Sequence, residues 1–189
     1  MQYLVANINV FSESELSVAL TQMPLNQREY ILRKKREVSR KQSIIARILL
    51  NNLLSEFGIS DGYNIDFETN GKPYYLNSSK VHFSISHSKD FVAVAVSSKP
   101  VGIDIQFHKS VNEKLVKRVC TNEECEFVKK AGNNVFLKLW TVKEAYSKCT
   151  GIKLTDVFKL SFIKDDSVFG LDKKLYSFSK DIYELSIIE

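Results

Sequence analysis

Trp140, Glu144 and Lys148 recur every four residues in the stretch Leu139-Trp140-Thr141-Val142-Lys143-Glu144-Ala145-Tyr146-Ser147-Lys148-Cys149-Thr150-Gly151. On a helix this spacing lines up an indole, a carboxylate and an ammonium on one face. A solvated Glu–Lys pair so arranged is worth only about 0.3–0.5 kcal/mol, and taken alone that is the simpler reading. A second stretch shifts the balance. In Pro100-Val101-Gly102-Ile103-Asp104-Ile105-Gln106, alternation sends Val101, Ile103 and Ile105 to one side of a strand and Gly102, Asp104 and Gln106 to the other. A carboxylate in so apolar a strand must be paired, hydrogen-bonded or bound to a cation. The helix is a source of that partner.

The elements that must hold these residues follow from periodicity. The helix is predicted to begin near Asn134 and to stop at Gly151, where a left-handed glycine cap fits. Lys143 points off the Glu144 face and reads equally well as solvent-exposed, and Trp140 reads as packing. Val111–Val119 is predicted helical, and Thr121-Asn122-Glu123-Glu124 is a capping box for the helix after it. Strands are expected near Val157–Ile163, Lys174–Phe178 and Tyr183–Ile188.

Upstream, residues 2–10 alternate with Leu4, Ala6, Ile8 and Val10 on one face, as in a half-buried strand. Ser12 or Ser14 then caps a short helix through Leu20. From Gln27 to about Phe57 the period is helical, with a break near Glu37–Ser39 and Gly58 as its close. Tyr63–Glu68 reads as a strand and Asn70-Gly71 as a tight turn, followed by Lys72 and Pro73. Val81–Ser86 and Phe91–Ser97 read as strands, with Ser86-His87-Ser88 at the loop between them. The Ser and Pro residues near position 98 mark a boundary, giving an N-terminal half 1–98 and a C-terminal half 99–189.

The chain has 189 residues, 44% hydrophobic and 26% charged, which is room for one ordinary domain or two small ones and is not the composition of a disordered chain. No stretch reaches the roughly 20 apolar residues that cross a bilayer, and no secretory leader is legible. Cys120, Cys125 and Cys149 lack zinc-ribbon spacing and suggest a reduced, cytoplasmic setting. The net charge of +5 favours anionic partners, and Arg28, Arg33, Lys34, Lys35, Arg36, Arg40, Lys41 and Arg47 concentrate it before and along one helix. Any one of these is ordinarily a solvated residue. Nucleic acid is one client for such a surface, although no helix-turn-helix spacing or aromatic strand motif accompanies it.

Gly-Ile-Asp-Ile at 102–105, followed some forty residues later by Trp-Thr-x-Lys-Glu-Ala-x-x-Lys at 140–148, resembles the paired signature of the 4′-phosphopantetheinyl transferases. The chain length is closest to the monomeric, surfactin-synthetase-activating type. The resemblance implies an α+β fold of two similar α/β halves related by a pseudo-twofold, with the active cleft between them. It implies transfer of the 4′-phosphopantetheine arm from coenzyme A to a serine of an acidic acyl or peptidyl carrier protein, with release of adenosine 3′,5′-bisphosphate. Asp104 and Glu144 would hold Mg²⁺, with Mn²⁺ as a substitute, and Lys148 would meet the diphosphate charge. Glu144 would also accept the serine proton, directly or through water.

Gly71-Lys72-Pro73 resembles the segment that lies against the adenine and 3′-phosphate of coenzyme A, and Ile85-Ser86-His87-Ser88 the one that contacts its phosphates, so Lys72, Pro73, Ser86 and His87 are carried over. Arg28, Arg33, Arg40 and Ser43 are candidates for the 3′-phosphate. One position departs from the pattern: Gln106 stands where many members carry an acid, which puts a third metal ligand in doubt. The competing expectations are a coenzyme A or nucleotide-binding protein that has lost catalysis, and a basic nucleic-acid-binding domain. Lys114, Lys117 and Arg118, among apolar residues between Val111 and Val128, are expected to meet the carrier.

Overall fold

A computed structural model describes residues 1–59, 65–67, 73–75 and 81–189 of the chain. The chain forms two compact units, Met1–Lys99 and Pro100–Glu189. In the first, strand β1 (Gln2–Asn7) leads through a 3₁₀ turn at Ile8–Val10 to helices α1 (Glu13–Gln22), α2 (Leu25–Leu32) and α3 (Glu37–Glu56). Strands β2 (Ile65–Phe67), β3 (Pro73–Tyr75), β4 (His82–Ser88) and β5 (Phe91–Ser97) follow. The second comprises β6 (Gly102–Phe107), helices α4 (Glu113–Val119), α5 (Asn122–Ala131), α6 (Asn133–Thr150) and α7 (Leu154–Val157), and strands β7 (Ile163–Lys164), β8 (Ser167–Val168), β9 (Leu175–Ser179) and β10 (Tyr183–Ile188).

Each unit is a mixed α/β structure around a three-stranded antiparallel sheet, and the strand orders correspond. The first strand of the unit lies at one edge, its last strand is central, and the penultimate strand forms the other edge: β1-β5-β4 and β6-β10-β9. In each a long helix packs against the sheet, α3 on β5 and α6 on β6 and β10. The α3 stripe of Ile45, Leu49, Leu50, Leu53 and Leu54 shares a core with Val92, Val94 and Val96. Fully burying one such side chain stabilises by about 1.5–3 kcal/mol, so this seam outweighs the weak intrinsic preferences of the segment. Gly58, in the left-handed region at φ 74°, ends the α3 segment as expected.

Several boundaries differ from the periodicity reading. The first strand stops at Asn7 because its side chain accepts a hydrogen bond from Asn9 N (2.9 Å) and turns the chain, leaving Val10 exposed. Ser12 caps α1 in a capping box with Glu15. The break between α2 and α3 falls at 33–36, just before Glu37. Ser86 and His87 lie within β4, which runs to Ser88, and the hairpin turns at Lys89-Asp90 with Lys89 at φ 52°. The turn expected at Asn70-Gly71 lies outside the described residues. No strand spans Val157–Ile163. Val157 ends α7, and the Phe158 and Leu160 carbonyls serve a buried ammonium rather than a ladder. Only Ile163–Lys164 pairs, with Ser167–Val168, across Asp165 and Asp166 at φ 50° and 53°, the primed turn geometry that Asp tolerates.

Helix α6 approaches β6 closely at Gly102. A Cβ there would lie 1.9 Å from the Ala145 carbonyl oxygen and 2.6 Å from Cys149 N, both backbone atoms that cannot swing aside. The glycine therefore sets the helix-to-sheet distance. Gly102→Ala is expected to destabilise the protein by about 3 kcal/mol, the upper end of ordinary overpacking, and urea unfolding of the variant beside the wild type checks it.

Candidate active site

The face of β6 that Gly102 turns toward α6 also carries Asp104 and Gln106, as strand alternation requires. Asp104 is only 6% exposed. Its Oδ1 accepts a hydrogen bond from Lys148 Nζ at 2.7 Å, and the same ammonium donates to the Ile103 carbonyl at 3.0 Å. Lys148 lies near the C-terminus of α6, whose last turn favours a cation, and Gly151 closes that helix at φ 76°. The expected partner for the strand acid is thus supplied by the helix, and Lys148 spends its charge on Asp104 rather than in a surface pair with Glu144.

Glu144 sits one turn before Lys148, half-buried. Burial, and then the Asp104 carboxylate, push its carboxyl above the ordinary value, and Lys148 opposes them only in part. Two acids that repel each other in a partly dehydrated place, beside a neutral amide at Gln106, form a donor set suited to a hard divalent cation, which prefers oxygen ligands. Among the described residues no group of three or more His, Cys, Asp or Glu side chains could hold a metal. Asp104 and Glu144 are a pair. Gln106 lies two residues along the same face, and its Nε2 donates to the Phe107 carbonyl at 3.2 Å.

Lys143, whose position off this face reads equally well as solvent-exposed, is fully buried. Its ammonium donates to Glu124 Oε2 at 2.7 Å and to the carbonyls of Leu160 and Phe158 at 2.9 and 3.4 Å. Glu124 also accepts from the backbone of Thr121 and Phe162, so every strong bonding capacity of the pair is used. No sequence signal marked this contact, because Glu124 already had a role as the N3 residue of a capping box. Trp140 packs between the rings of Phe136 and Phe158, in keeping with its structural reading.

The remaining candidates belong to the first unit. Ser86 is buried and His87 exposed on consecutive positions of β4. The turn after them is held by Gln42, whose Nε2 donates to the Lys89 carbonyl at 2.7 Å. Ser43, expected at a helix start, lies instead inside α3, two turns in and next to Gln42, and donates its hydroxyl to the Ser39 carbonyl one turn back. Arg28 Nη2 donates to the carbonyls of Thr21 and Met23, at the end of α1, while its buried Nε has no hydrogen-bond partner among the described residues. Arg40 lines a groove of about 230 Å³ against α1, and its buried Nε likewise has no hydrogen-bond partner among the described residues. Arg33 pairs with Glu29 at 3.3 Å. Arg47, counted above with the basic surface, is instead buried: its Nε donates to Gln27 Oε1, and burial lowers its pKa. Pro73 is in β3 opposite Phe67. Lys72 lies outside the described residues.

Two family models match the chain. Residues 100–182 match the 4′-phosphopantetheinyl transferase superfamily, and residues 11–99 match the N-terminal region of 4′-phosphopantetheinyl transferases. The 4′-phosphopantetheinyl transferase Sfp of Bacillus subtilis (strain 168) is 32% identical over 168 residues, covering 77% of this chain and 75% of its own. The chain belongs to the 4′-phosphopantetheinyl transferase superfamily. The transferase psf-1 of Bacillus pumilus is 31% identical over 60% of this chain, and gsp of Aneurinibacillus migulanus 32% over 58%. The chain spans 52% and 48% of the length of those two relatives. The superfamily match at 100–182 contains Asp104, Glu144 and Lys148. Among the described residues no helix is long and apolar enough to cross a membrane.

The raised Glu144 pKa has a stability consequence. The folded chain holds this proton more tightly than the unfolded chain, so the group's contribution is complete below the ordinary carboxylate value of 4.5 and is lost as pH rises through the raised one. Glu144→Gln should remove that decline and be the more stable protein at neutral pH. Urea titrations of both proteins between about pH 4 and pH 8 measure the difference; a wild type as stable as the variant throughout would contradict it.

Proposed function

We propose that this chain transfers the 4′-phosphopantetheine arm of coenzyme A to a serine hydroxyl of an apo carrier protein and releases adenosine 3′,5′-bisphosphate. The observation that carries the reading is the meeting of Asp104, Glu144 and Lys148 across β6 and α6, within the region matched by the superfamily model. In the reaction the serine oxygen forms a bond to the β-phosphorus, the bond from that phosphorus to the bridging diphosphate oxygen breaks, and the serine proton leaves. In water the solvated, negatively charged diphosphate repels an incoming oxygen, and the leaving phosphate must accumulate charge. A protein accelerates it chiefly by positioning and by fixed charges aimed at the phosphoryl oxygens.

Glu144 is suited to take the serine proton, directly or through water. Its burial and its neighbour Asp104 make it a stronger base than an ordinary carboxylate, closer to the pH at which proton transfer is efficient. Lys148 is a partly exposed ammonium within reach of the same site, and it offsets charge gathering on the leaving phosphate. Asp104 and Glu144 would hold Mg²⁺, or Mn²⁺ in its place, with Gln106 as a neutral neighbour; when bound, such an ion neutralises diphosphate oxygens. Ser86 and His87, with Lys72 and Pro73 and with Ser43, Arg28 and Arg40 in the basic region, make up the proposed coenzyme A contacts. The expected internal duplication belongs to the same reading and is supported by the matching strand orders of the two sheets.

Carrier recognition is assigned to α4 and α5. A groove of about 650 Å³ is lined by Val111, Val116, Cys125 and Val128, with Lys117 and Lys129 at its edge. Lys114, Lys117 and Arg118 are exposed on α4, and the Lys117–Glu113 pair beside the groove is a solvated one. The groove's own charges balance, since Glu113 and Glu126 line it beside Lys117 and Lys129 and pair with them, and the exposed Lys114 and Arg118 of α4 supply the positive charge next to it. An apolar trough beside such cations suits an acidic helix with an apolar face. The enzyme is read as cytoplasmic and monomeric.

Incubating a purified apo acyl carrier protein with this protein, coenzyme A and Mg²⁺ should add one phosphopantetheine to the carrier, read by intact-protein mass spectrometry. Glu144→Ala should lower the rate by at least about 100-fold, as loss of a proton acceptor does. Coenzyme A binding without any transfer to several carriers would favour a binding protein in place of an enzyme. Lys117→Glu combined with Arg118→Glu should raise the carrier KM about tenfold or more and leave the KM for coenzyme A unchanged; an unchanged carrier KM would remove α4 from the docking surface.

A further inference from the structure

Helix α2 reverses the usual order of polarity. It buries Gln27 and Ile31 and leaves Leu25, Tyr30 and Leu32 exposed, at 67%, 46% and 50%. Gln27 has a reason to be inside, since its Oε1 accepts from the buried Arg47 Nε at 3.1 Å. Nothing of that kind accounts for the leucines, because a helix facing only water turns its apolar side chains inward. Val38, the second residue of α3, is 40% exposed as well. It stands seven residues before Ile45, so the apolar stripe of α3 runs on past the core that Ile45 enters. Among the described residues, four of the ten exposed large hydrophobics thus fall between Leu25 and Val38.

The same corner carries the charge of the protein. Seven Lys or Arg and two Glu lie between Arg28 and Lys41, a net +5 that equals the net charge of the whole chain. Some of these cations are spent locally. Arg33 pairs with Glu29, Lys41 with Glu13 and Glu37, and Arg28 serves carbonyls of the α1 end. Lys35 and Arg36 are exposed and, among the described residues, belong to no ion pair. They sit in the four-residue turn between α2 and α3, with Leu32 just before it and Val38 just after.

The chemistry of this mixture selects its partner. A small ligand does not fit, since the cavity that adjoins the corner, lined by Leu32, Arg40 and Lys41, is about 230 Å³, below the range of small-molecule sites. Nucleic acid calls for open aromatic faces beside the cations, and the one aromatic of the segment, Tyr30, has the Lys34 ammonium over its ring at 4.8 Å. Aliphatic side chains interleaved with cations suit a surface that is apolar beneath a layer of anions. A bilayer with acidic lipids is such a surface, and the cytoplasmic leaflet carries them. Among the described residues no helix is long and apolar enough to cross a membrane, and a peripheral contact needs none.

We propose that the corner between α2 and α3, with Leu32, Lys35, Arg36 and Val38 at its centre, docks on the surface of an anionic lipid bilayer. The two cations meet the headgroup phosphates, and the two aliphatic side chains enter the boundary below them. With so few groups engaged, the contact is reversible and weakens as salt is added. It stands apart from the reading of Asp104, Glu144 and Lys148, and neither depends on the other.

The test is co-sedimentation of the whole chain with vesicles of phosphatidylcholine alone and of phosphatidylcholine with about one-third phosphatidylglycerol, at about 0.1 M salt. The wild type should sediment with the second and not with the first. Each Lys or Arg at an anionic surface contributes about fivefold in partitioning, so Lys35→Glu with Arg36→Glu should lose about 25-fold or more. Leu32→Ser with Val38→Ser should lose about tenfold, for the apolar surface no longer buried. Lys109→Glu with Lys130→Glu makes the same change of net charge on exposed residues of the second unit and should lose far less. Thermal melting of each variant confirms its fold, and a DNA duplex of random sequence is titrated in the same buffer.

A wild type that ignores anionic vesicles, or that binds neutral ones equally well, would overturn the proposal. So would charge reversal at 35 and 36 that costs no more than reversal at 109 and 130, since net charge and not this corner would then be responsible. Serine variants that bind as tightly as the wild type would reduce the contact to bare charge and overturn the seating of Leu32 and Val38. Tighter binding to the duplex than to anionic vesicles would give the surface to nucleic acid instead.

Discussion

A charged carboxylate in a strand flanked by fully buried isoleucines has to be compensated, and much of the second unit follows from how Asp104 meets that need. The compensating ammonium of Lys148 comes from α6, so α6 must lie close to β6. Gly102, two residues before Asp104 on the same face, provides the closeness by having no side chain to stand between strand and helix backbone. The helix must also stop soon after Lys148, where its terminal carbonyls favour a cation, and Gly151 stops it. Charge, packing distance and helix length are thereby tied together over a few residues.

Holding α6 in that place falls to a second buried pair. Lys143 and Glu124 are both removed from water, which costs several kcal/mol per ion before compensation, on the order of the stability of a small domain. The pair persists because each end is saturated: the ammonium by a carboxylate and two carbonyls, the carboxylate by an ammonium and two backbone amides. It joins α5, α6 and the segment after α7. Two lysines five residues apart thus have opposite environments, Lys143 sealed in structure and Lys148 at a partly open site, and this difference separates support from chemistry in the proposed mechanism.

The first unit shows the same economy around its hairpin. The turn after Ser86 and His87 is not left to local preference, since Lys89 adopts a left-handed backbone that a lysine does not favour, and the Gln42 amide from α3 holds its carbonyl. The position of His87 therefore depends on α3. The basic residues of this region divide in a similar way. Arg47 and Arg28 are drawn into packing and carbonyl contacts, whereas exposed residues such as Lys35 and Arg36 keep the positive surface.

What the chain alone determined is whatever depends on neighbours within a few residues. The helix ending at Gly151, the alternation that puts Asp104 on the face of Gly102, the Thr121 capping box and the two signature stretches were all legible, because period, cap and motif are local. Only the tertiary structure decided which charge meets which. Lys148 chose Asp104, 44 residues away, over Glu144, four residues away; Lys143 found Glu124; and the register of β10 set Glu184 beside Gln106. The expected strand at Val157–Ile163 failed for the same reason, as its carbonyls were claimed by an ammonium from another helix. Burial is a property of the assembled core, and the cost of an unpaired charge there outweighs the few tenths of a kcal/mol that local spacing and propensity offer.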